Sequence, residues 1–317
     1  MPEYGYALSS EEHRPNDLVQ NARRAEEAGF TFALISDHFH PWIDEQGHSP
    51  FVWSVIGGIA QATEGLRLGT GVTCPTIRIH PAIIAQAAAT SAAMMPGRFF
   101  LGVGTGENLN EHILGDHWPA PDERLEMLEE AIEVIRLLWQ GGYQTHRGMY
   151  YTVENARLYT LPDEPPPIAV AAAKENAAEL AGGAGDALVT TSPDAEVVTA
   201  YTEAGGDGPR YGQITVCWAE DEQQAVETVH RIWPNAAIKG DLSQELALPR
   251  HFEQAAQMVS PEDLQGSMPL GPEPEVYLEH VRRYEQAGID HIYFHQIGPD
   301  QAGFFRFWQD ELRPKLN

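Results

Sequence analysis

The chain has 317 residues, 43% of them hydrophobic, and a formal net charge of −26. That charge repels phosphate backbones and argues against nucleic-acid binding, and no apolar run is long enough to cross a bilayer. The two cysteines, Cys74 and Cys217, lie far apart without CxxC or Cys/His spacing, which argues against a disulfide scaffold or a structural zinc site.

Tyr4–Leu8 reads as a first strand, and the opening MPEYGYALSS lacks the basic region and apolar stretch of a secretion signal, so a cytoplasmic location is expected. Pro15 to Ala28 is helical with one apolar face, and Gly29 suits its C-terminal cap. Phe32–Ile35 is a short continuous apolar strand, as in a parallel sheet covered on both faces. The alternation continues with helix Val52–Ala62, strand Leu66–Thr70, helix Ala82–Met94, strand Phe99–Val103 and helix Asp122–Trp139. A hairpin is expected over Tyr143 to Tyr159 with Gly148 at its turn. Strands then follow at Ile168–Ala172, Ala187–Thr190, Ile214–Trp218 and His291–His295, with helices at Glu175–Ala181, Pro274–Ala287 and Phe304–Leu312.

Eight strands separated by helices close most simply into a TIM-type (β/α)₈ barrel, which needs roughly 250 residues. An open doubly wound sheet is the competitor, but no GxGxxG follows the first strand. A single domain over 1–317 is expected. The polar, proline-punctuated segment 233–270 would be an insertion over the active-site end.

Only three of the 20 basic residues are lysines: Lys174, Lys239 and Lys315. An acidic, lysine-poor surface suits a halophile's cytoplasm, where molar salt screens self-repulsion, and this setting is favoured. An ordinary acidic protein of an arginine-rich, GC-rich organism fits the same numbers.

In such a barrel, side chains just past the C-terminal ends of the strands face the active site. After the second strand come Asp37, His38, His40 and Trp42: a carboxylate, two imidazoles and an indole that could supply a proton acceptor, its orienter and an aromatic wall. A plain surface loop is the alternative. Gly71 to Cys74 follow the third strand and fit either a simple turn or the close approach of a flat ligand. Gly102, Gly104 and Gly106 alternate after the fourth strand and end in Glu107, with Asn110 beyond. Ala171, Ala172, Ala173 and Lys174 follow the fifth and open a helix, which suits an anion. A solvated lysine fits equally. Glu11 after the first strand and His295 at the end of the last are possible substrate contacts, as is His40.

Ser36-Asp37-His38-Phe39-His40-Pro41-Trp42 together with Phe100-Leu101-Gly102-Val103-Gly104-Thr105-Gly106-Glu107 and Leu109-Asn110-Glu111 resembles the deazaflavin-dependent branch of the luciferase-like superfamily. The likeness is above all to the F420-dependent glucose-6-phosphate dehydrogenases and related alcohol dehydrogenases. It implies coenzyme F420 as cofactor, a small-molecule alcohol or sugar substrate, and a homodimer. Asp37 would contact the deazaflavin ring, with Cys74, Gly106 and Asn110 among the other contacts. Gly71 and Val72 would form a bulge behind the ring, often with a cis bond between them. Ala171 to Lys174 would hold the phosphate arm. His38 would take the proton from the substrate hydroxyl, Glu107 would manage the proton at N1 of the ring, and Trp42 would wall the site. An imidazole titrating near neutrality suits the first task, and a carboxyl raised by a desolvated cleft suits the second.

The chain departs from that pattern where relatives grip a sugar phosphate with two lysines and an arginine. By alignment those positions carry Asp194, Gln254 and Ser267, so glucose-6-phosphate is expected to be a poor substrate. Asp194 and Gln254 could instead bond the hydroxyls of an unphosphorylated sugar. The rivals are an FMN-dependent monooxygenase on the same barrel, an F420 reaction run as a reductase of an enone or imine, a pterin-linked reductase, and a ligand-binding barrel without chemistry.

Overall fold

Short apolar runs between polar loops become the strands of one closed parallel barrel in the computed structural model, which describes residues 2–238 and 240–316. The strands are β1 (Glu3–Leu8), β2 (Phe32–Ile35), β3 (Arg67–Thr70), β4 (Phe99–Val103), β5 (Gln144–Arg147), β6 (Thr152–Ala156), β7 (Ile168–Ala171), β8 (Ala187–Thr190), β9 (Arg210–Val216) and β10 (His291–Gln296). Eight of them close in the order β1-β10-β9-β8-β7-β4-β3-β2, while β5 and β6 pair apart as an antiparallel hairpin. This is the expected TIM-type architecture.

Helices α1 (Pro15–Glu27), α2 (Val52–Ala62), α3 (Pro81–Met94), α4 (Asn108–Glu111), α5 (Pro121–Trp139) and α6 (Glu175–Ala184) cover the first half. The second half carries α7 (Ala195–Glu203), α8 (Glu222–Ile232), α9 (Leu242–Glu245), α10 (Pro249–Ala256), α11 (Pro261–Leu264), α12 (Pro274–Gln286), α13 (Gln301–Phe307) and α14 (Arg313–Leu316). Several open on proline (Pro15, Pro81, Pro121, Pro274), whose missing N–H costs nothing in the first turn. Among the described residues no helix is long and apolar enough to cross a membrane.

Alternation along each strand divides the core in two. Phe32, Leu34, Phe100, Ala169, Ala187, Val189, Tyr211 and Tyr293 fill the barrel interior. Their neighbours, such as Ala33, Ile35, Leu101 and Ile292, pack outward against the helices. Inside, Phe100 and Tyr211 stack with centroids 4.9 Å apart. These rings plug the barrel, so chemistry is left to the loops at its C-terminal rim.

The structure corrects several boundaries. β9 begins at Arg210, four residues before the expected start, because Arg210 is anchored by Asp290 beside β10 and Tyr211 turns inward. Helix α7 was hidden by its β-branched Val197, Val198 and Thr199, and α8 by a polar face; Asp194 and Asp221 cap them by accepting from Glu196 N and Gln224 N. The last expected helix is interrupted by a π-helical turn over Trp308–Leu312. In the hairpin, Gly148 N donates to Tyr151 O as expected of a turn, and Glu130 accepts from the backbone N–H groups of Met149, Tyr150 and Tyr151.

Part of the acidic excess lies on the outer helices. Glu175 and Glu179 of α6 and Glu196 and Glu203 of α7 line one open groove. Like charges so placed repel over about 10 Å at 0.1 M salt but over only about 3 Å at 1 M. The melting temperature is therefore expected to rise from 0.1 to 2 M KCl, as followed by circular dichroism. A flat or falling curve would show that the acidic surface is no adaptation to salt.

Candidate active site

The loops after β1 and β2 meet over the barrel rim. Glu11, buried, accepts hydrogen bonds at Oε2 from the hydroxyls of Ser9 (2.9 Å) and Ser36 (2.8 Å), which fix its carboxylate. Its Oε1 lies 2.7 Å from His38 Nδ1. The two meet at ion-pair distance without the in-line geometry of a hydrogen bond, and neither atom has another hydrogen-bonding partner. On the far side of the ring, His38 Nε2 stands 3.9 Å from Glu107 Oε2. An imidazole is thus held between two carboxylates. Burial opposes its protonation, but Glu11, then Glu107 and Asp37, outweigh that and raise its pKa to about 9. Burial likewise opposes ionisation of Glu11, yet the His38 charge brings it down to about 2. The expectation of an imidazole titrating near neutrality is corrected: the carboxylates hold it as imidazolium.

Trp42 closes one side of the site. Its ring lies edge-on to His38 (centroids 5.2 Å) and edge-on to Phe252 of α10 (5.2 Å). Ile43, Leu109 and Phe252 form a small apolar cluster with Trp42, Ile238 and Leu246 against it. The segment between α8 and α12 is thereby seated on the indole.

Asp37 turns the other way. Its Oδ2 accepts from Thr73 Oγ1 (2.7 Å), and its Oδ1 accepts from Arg78 Nη2 (3.0 Å). Arg78 also reaches Glu111, whose carboxyl is raised to about 7 by burial despite the opposing guanidinium. Neither Arg78 nor the buried role of Glu111 was picked out from the sequence. Arg78 follows no glycine or strand-end motif, although Glu111 lies in a stretch that carried the resemblance.

The ledge beyond Asp37 is built of small groups. The Gly71–Val72 peptide bond is cis. A Cβ on Gly104 would come within 2.8 Å of Val72 Cγ2 and 3.3 Å of Ala171 Cβ. One on Gly106, at φ +75°, would meet Cys74 Sγ at 2.6 Å. The buried Cys74 thiol lies 3.0 Å from Thr76 Oγ1, and burial pushes its pKa up, so it stays a neutral thiol. Asn110 accepts at Oδ1 from Phe39 N (2.9 Å) and His40 N (3.1 Å), while its buried Nδ2 has no partner. A glycine-edged ledge with an unused amide donor beside it fits a flat, polar-edged cofactor.

Other sequence candidates are placed elsewhere. His40 is turned to α4, with Nδ1 2.9 Å from Leu109 O and its ring 5.8 Å from that of His112. His295 sits on the same face of β10 as Tyr293, buried, with Nε2 3.1 Å from Glu12 Oε1 and its ring against Trp233. Its partner is thus a carboxylate of the first loop. Asp194 is occupied as the cap of α7, and Gln254 is exposed on α10, away from the buried Phe252 face. Neither makes a hydrogen bond or ion pair with Glu11, His38 or Glu107. Ser267 Oγ donates to Leu264 O. Ala171 and Ala172 lie at the end of β7, and Ala173 and Lys174 are exposed beyond them. Lys174 Nζ reaches Asp241 Oδ1 at 3.1 Å, an exposed pair that an anion could displace. Among the described residues no group of three or more metal-ligating side chains could hold an ion.

The sequence pattern of the luciferase-like monooxygenase family matches residues 2–291. An F420-dependent glucose-6-phosphate dehydrogenase of Microbacterium testaceum is 35% identical over 326 residues, covering 99% of this chain and 97% of its own. Its counterpart in Nakamurella multipartita is 34% identical over 328 residues, with coverages of 99% and 96%. A solved F420-dependent secondary alcohol dehydrogenase, in complex with an F420–acetone adduct, superposes with a TM-score of 0.91 at 30% identity and covers 98% of both chains. An F420-dependent tetrahydromethanopterin reductase of Methanopyrus kandleri, at TM-score 0.81 and 20% identity over 100% of this chain and 99% of its own, shares the fold.

The Glu11–His38 pair carries a stability signature. Because the His38 pKa is raised, its share of stability is full below about 6.5, the unfolded value, and is lost as pH rises through about 9. The Glu11 share is present above its unfolded value near 4.5 and is lost only as pH falls towards 2. Glu11→Gln should therefore destabilise most between pH 5 and 6.5, by about 3–5 kcal/mol for a broken buried pair. The deficit should shrink towards pH 9. Urea unfolding across that range checks it; a deficit independent of pH contradicts the pairing.

Proposed function

The chain belongs to the luciferase-like monooxygenase family, and within that family we propose that it is a coenzyme F420-dependent dehydrogenase of sugars or secondary alcohols that does not require a phosphorylated substrate. The observation that carries this reading is His38 held between Glu11 and Glu107 beside a glycine-edged ledge. Relatives named as F420-dependent at 30–35% identity over nearly the full chain support it. When bound, the deazaflavin would supply the hydride acceptor.

The residues of this chain would do the rest. Asp37, Val72, Gly106 and the Asn110 amide would seat the ring, and Ala171 to Lys174 would meet the phosphate arm. His38 would take the proton of the substrate hydroxyl, with Glu11 stabilising the imidazolium that forms. Glu107, on the opposite side of the imidazole, would manage the proton at N1 of the ring. Trp42, backed by Phe252, would exclude water from the reacting carbon. A raised His38 pKa stabilises the proton-bearing state, so alcohol oxidation should speed up as pH rises through about 9, and the reverse reduction should slow.

Substrate choice follows from charge. The positions expected to replace the cationic grip hold a capping aspartate, an exposed glutamine and a serine bonded to its own backbone. The acidic surface and the resemblance together support a cytoplasmic homodimer in a high-salt host.

Three measurements test the reading. F420 fluorescence should be quenched on mixing with the protein, whereas FMN should stay free; tight FMN binding instead would favour a flavin monooxygenase. With F420, glucose-6-phosphate should show kcat/KM at least about tenfold below free sugars or secondary alcohols, since a lost charged hydrogen bond costs about 1.5–3 kcal/mol. His38→Asn should lower kcat about 10²–10⁴-fold. Turnover of glucose-6-phosphate above every unphosphorylated alcohol would overturn the substrate class.

A further inference from the structure

Behind Asp37 lies a buried cation that the proton-handling residues do not use. The Arg78 side chain is 6% exposed, and its two carboxylate neighbours, Asp37 and Glu111, are 1% exposed. Arg78 Nη2 donates to Asp37 Oδ1 (3.0 Å) and to the Asp37 main-chain oxygen (3.2 Å). Arg78 Nε points to Glu111 Oε1 (3.4 Å), and its backbone N donates to Glu111 Oε2 (2.8 Å). With Thr73 Oγ1 on Asp37 Oδ2, both oxygens of that carboxylate are tethered.

We infer that Arg78 is the positioning residue that orients and neutralises Asp37 so that its carboxylate can receive the cofactor ring. This rests on the F420 reading above. One guanidinium ties together the loop after β2, the loop after β3 and α4. Each of these carries an expected cofactor contact: Asp37, Val72 with Cys74, and Asn110. Arginine suits the task because its planar fork fixes several donors in set directions, whereas a lysine is a mobile point charge. Glu111 lies directly beneath the ledge, since a Cβ on Gly106 would approach Glu111 Cγ to 3.0 Å. A shift of Arg78 would therefore move the ledge as well as Asp37.

Arg78 is the cation bonded to Asp37, and Glu111 on α4 shares that guanidinium. Without Arg78, Asp37 loses the counter-charge and the donor contacts that orient its carboxylate.

The test titrates the cofactor-free protein with F420 at one fixed pH, reading fluorescence quenching, beside a melting curve for each variant. Arg78→Gln is expected to weaken F420 binding at least tenfold. Arg78→Lys, which keeps the charge without the fork, is expected to recover part of that affinity. Arg98→Gln is the control, because Arg98 bonds Thr63 Oγ1 and Leu66 O at the opposite end of the barrel. It should lower the melting temperature without changing affinity. Parent-like affinity in Arg78→Gln would overturn the inference, as would a loss that Arg98→Gln shares. If Arg78→Gln does not fold, parent-like binding by Arg78→Lys overturns it. A parent protein that does not bind F420 removes the cofactor reading and this inference together, whereas binding by the parent and equally by the variants removes only the role of Arg78.

Discussion

A carboxylate and an imidazole 2.7 Å apart inside a protein stabilise each other only if both remain charged, and that condition governs the rim of this barrel. Two buried ions cost several kcal/mol each to desolvate, so the pair persists because further groups hold it. Ser9 and Ser36 fix the free oxygen of Glu11, while Glu107 faces the free nitrogen of His38. The loops after β1, β2 and β4 are thus drawn together by one charge pattern. The barrel supplies the geometry that makes the pattern possible, because parallel closure brings the C-terminal ends of all eight strands to one rim.

A second buried set lies beside the first. Asp37 and Glu111 share Arg78, and Asp37 is only one residue from His38. Within the overall excess of negative charge, three of the described cations stand against carboxylates near the site: the His38 imidazolium, Arg78, and Lys174 beyond β7. The first two are buried among carboxylates, and the third is exposed against Asp241. On the proposed reading this division would separate the tasks: proton transfer at His38, support of the ledge at Arg78, and contact with an anionic tail at Lys174.

Much of the fold was legible in the sequence because period and length are local signals. Phe32–Ile35 and Phe99–Val103 are continuous apolar runs, and both are strands at those boundaries. The failures have local causes too. Val197 and Val198 gave α7 a strand-like composition, and the tertiary anchor of Arg210 on Asp290 lengthened β9 beyond its apolar stretch. For the site, the motif residues His38, Glu107 and Trp42 do converge. Partnerships between distant loops were not readable: Glu11 with His38, Glu12 with His295, and Arg78 with two carboxylates depend on barrel closure. Charge carried the same lesson. From the sequence His38 had the ordinary imidazole range, and only the geometry shows the flanking carboxylates that raise it.

The measurement closest to the central claim is an NMR titration of the His38 imidazole in the cofactor-free protein, using ¹⁵N-labelled histidine with His38→Asn to assign the signal. The expected result is an imidazolium that persists past neutrality and releases its proton near pH 9, with Glu11→Gln bringing the midpoint down towards 6.5. A His38 midpoint already near 6.5 in the parent, unmoved by Glu11→Gln, would contradict the claim that the Glu11–His38 pair sets the chemistry of the site.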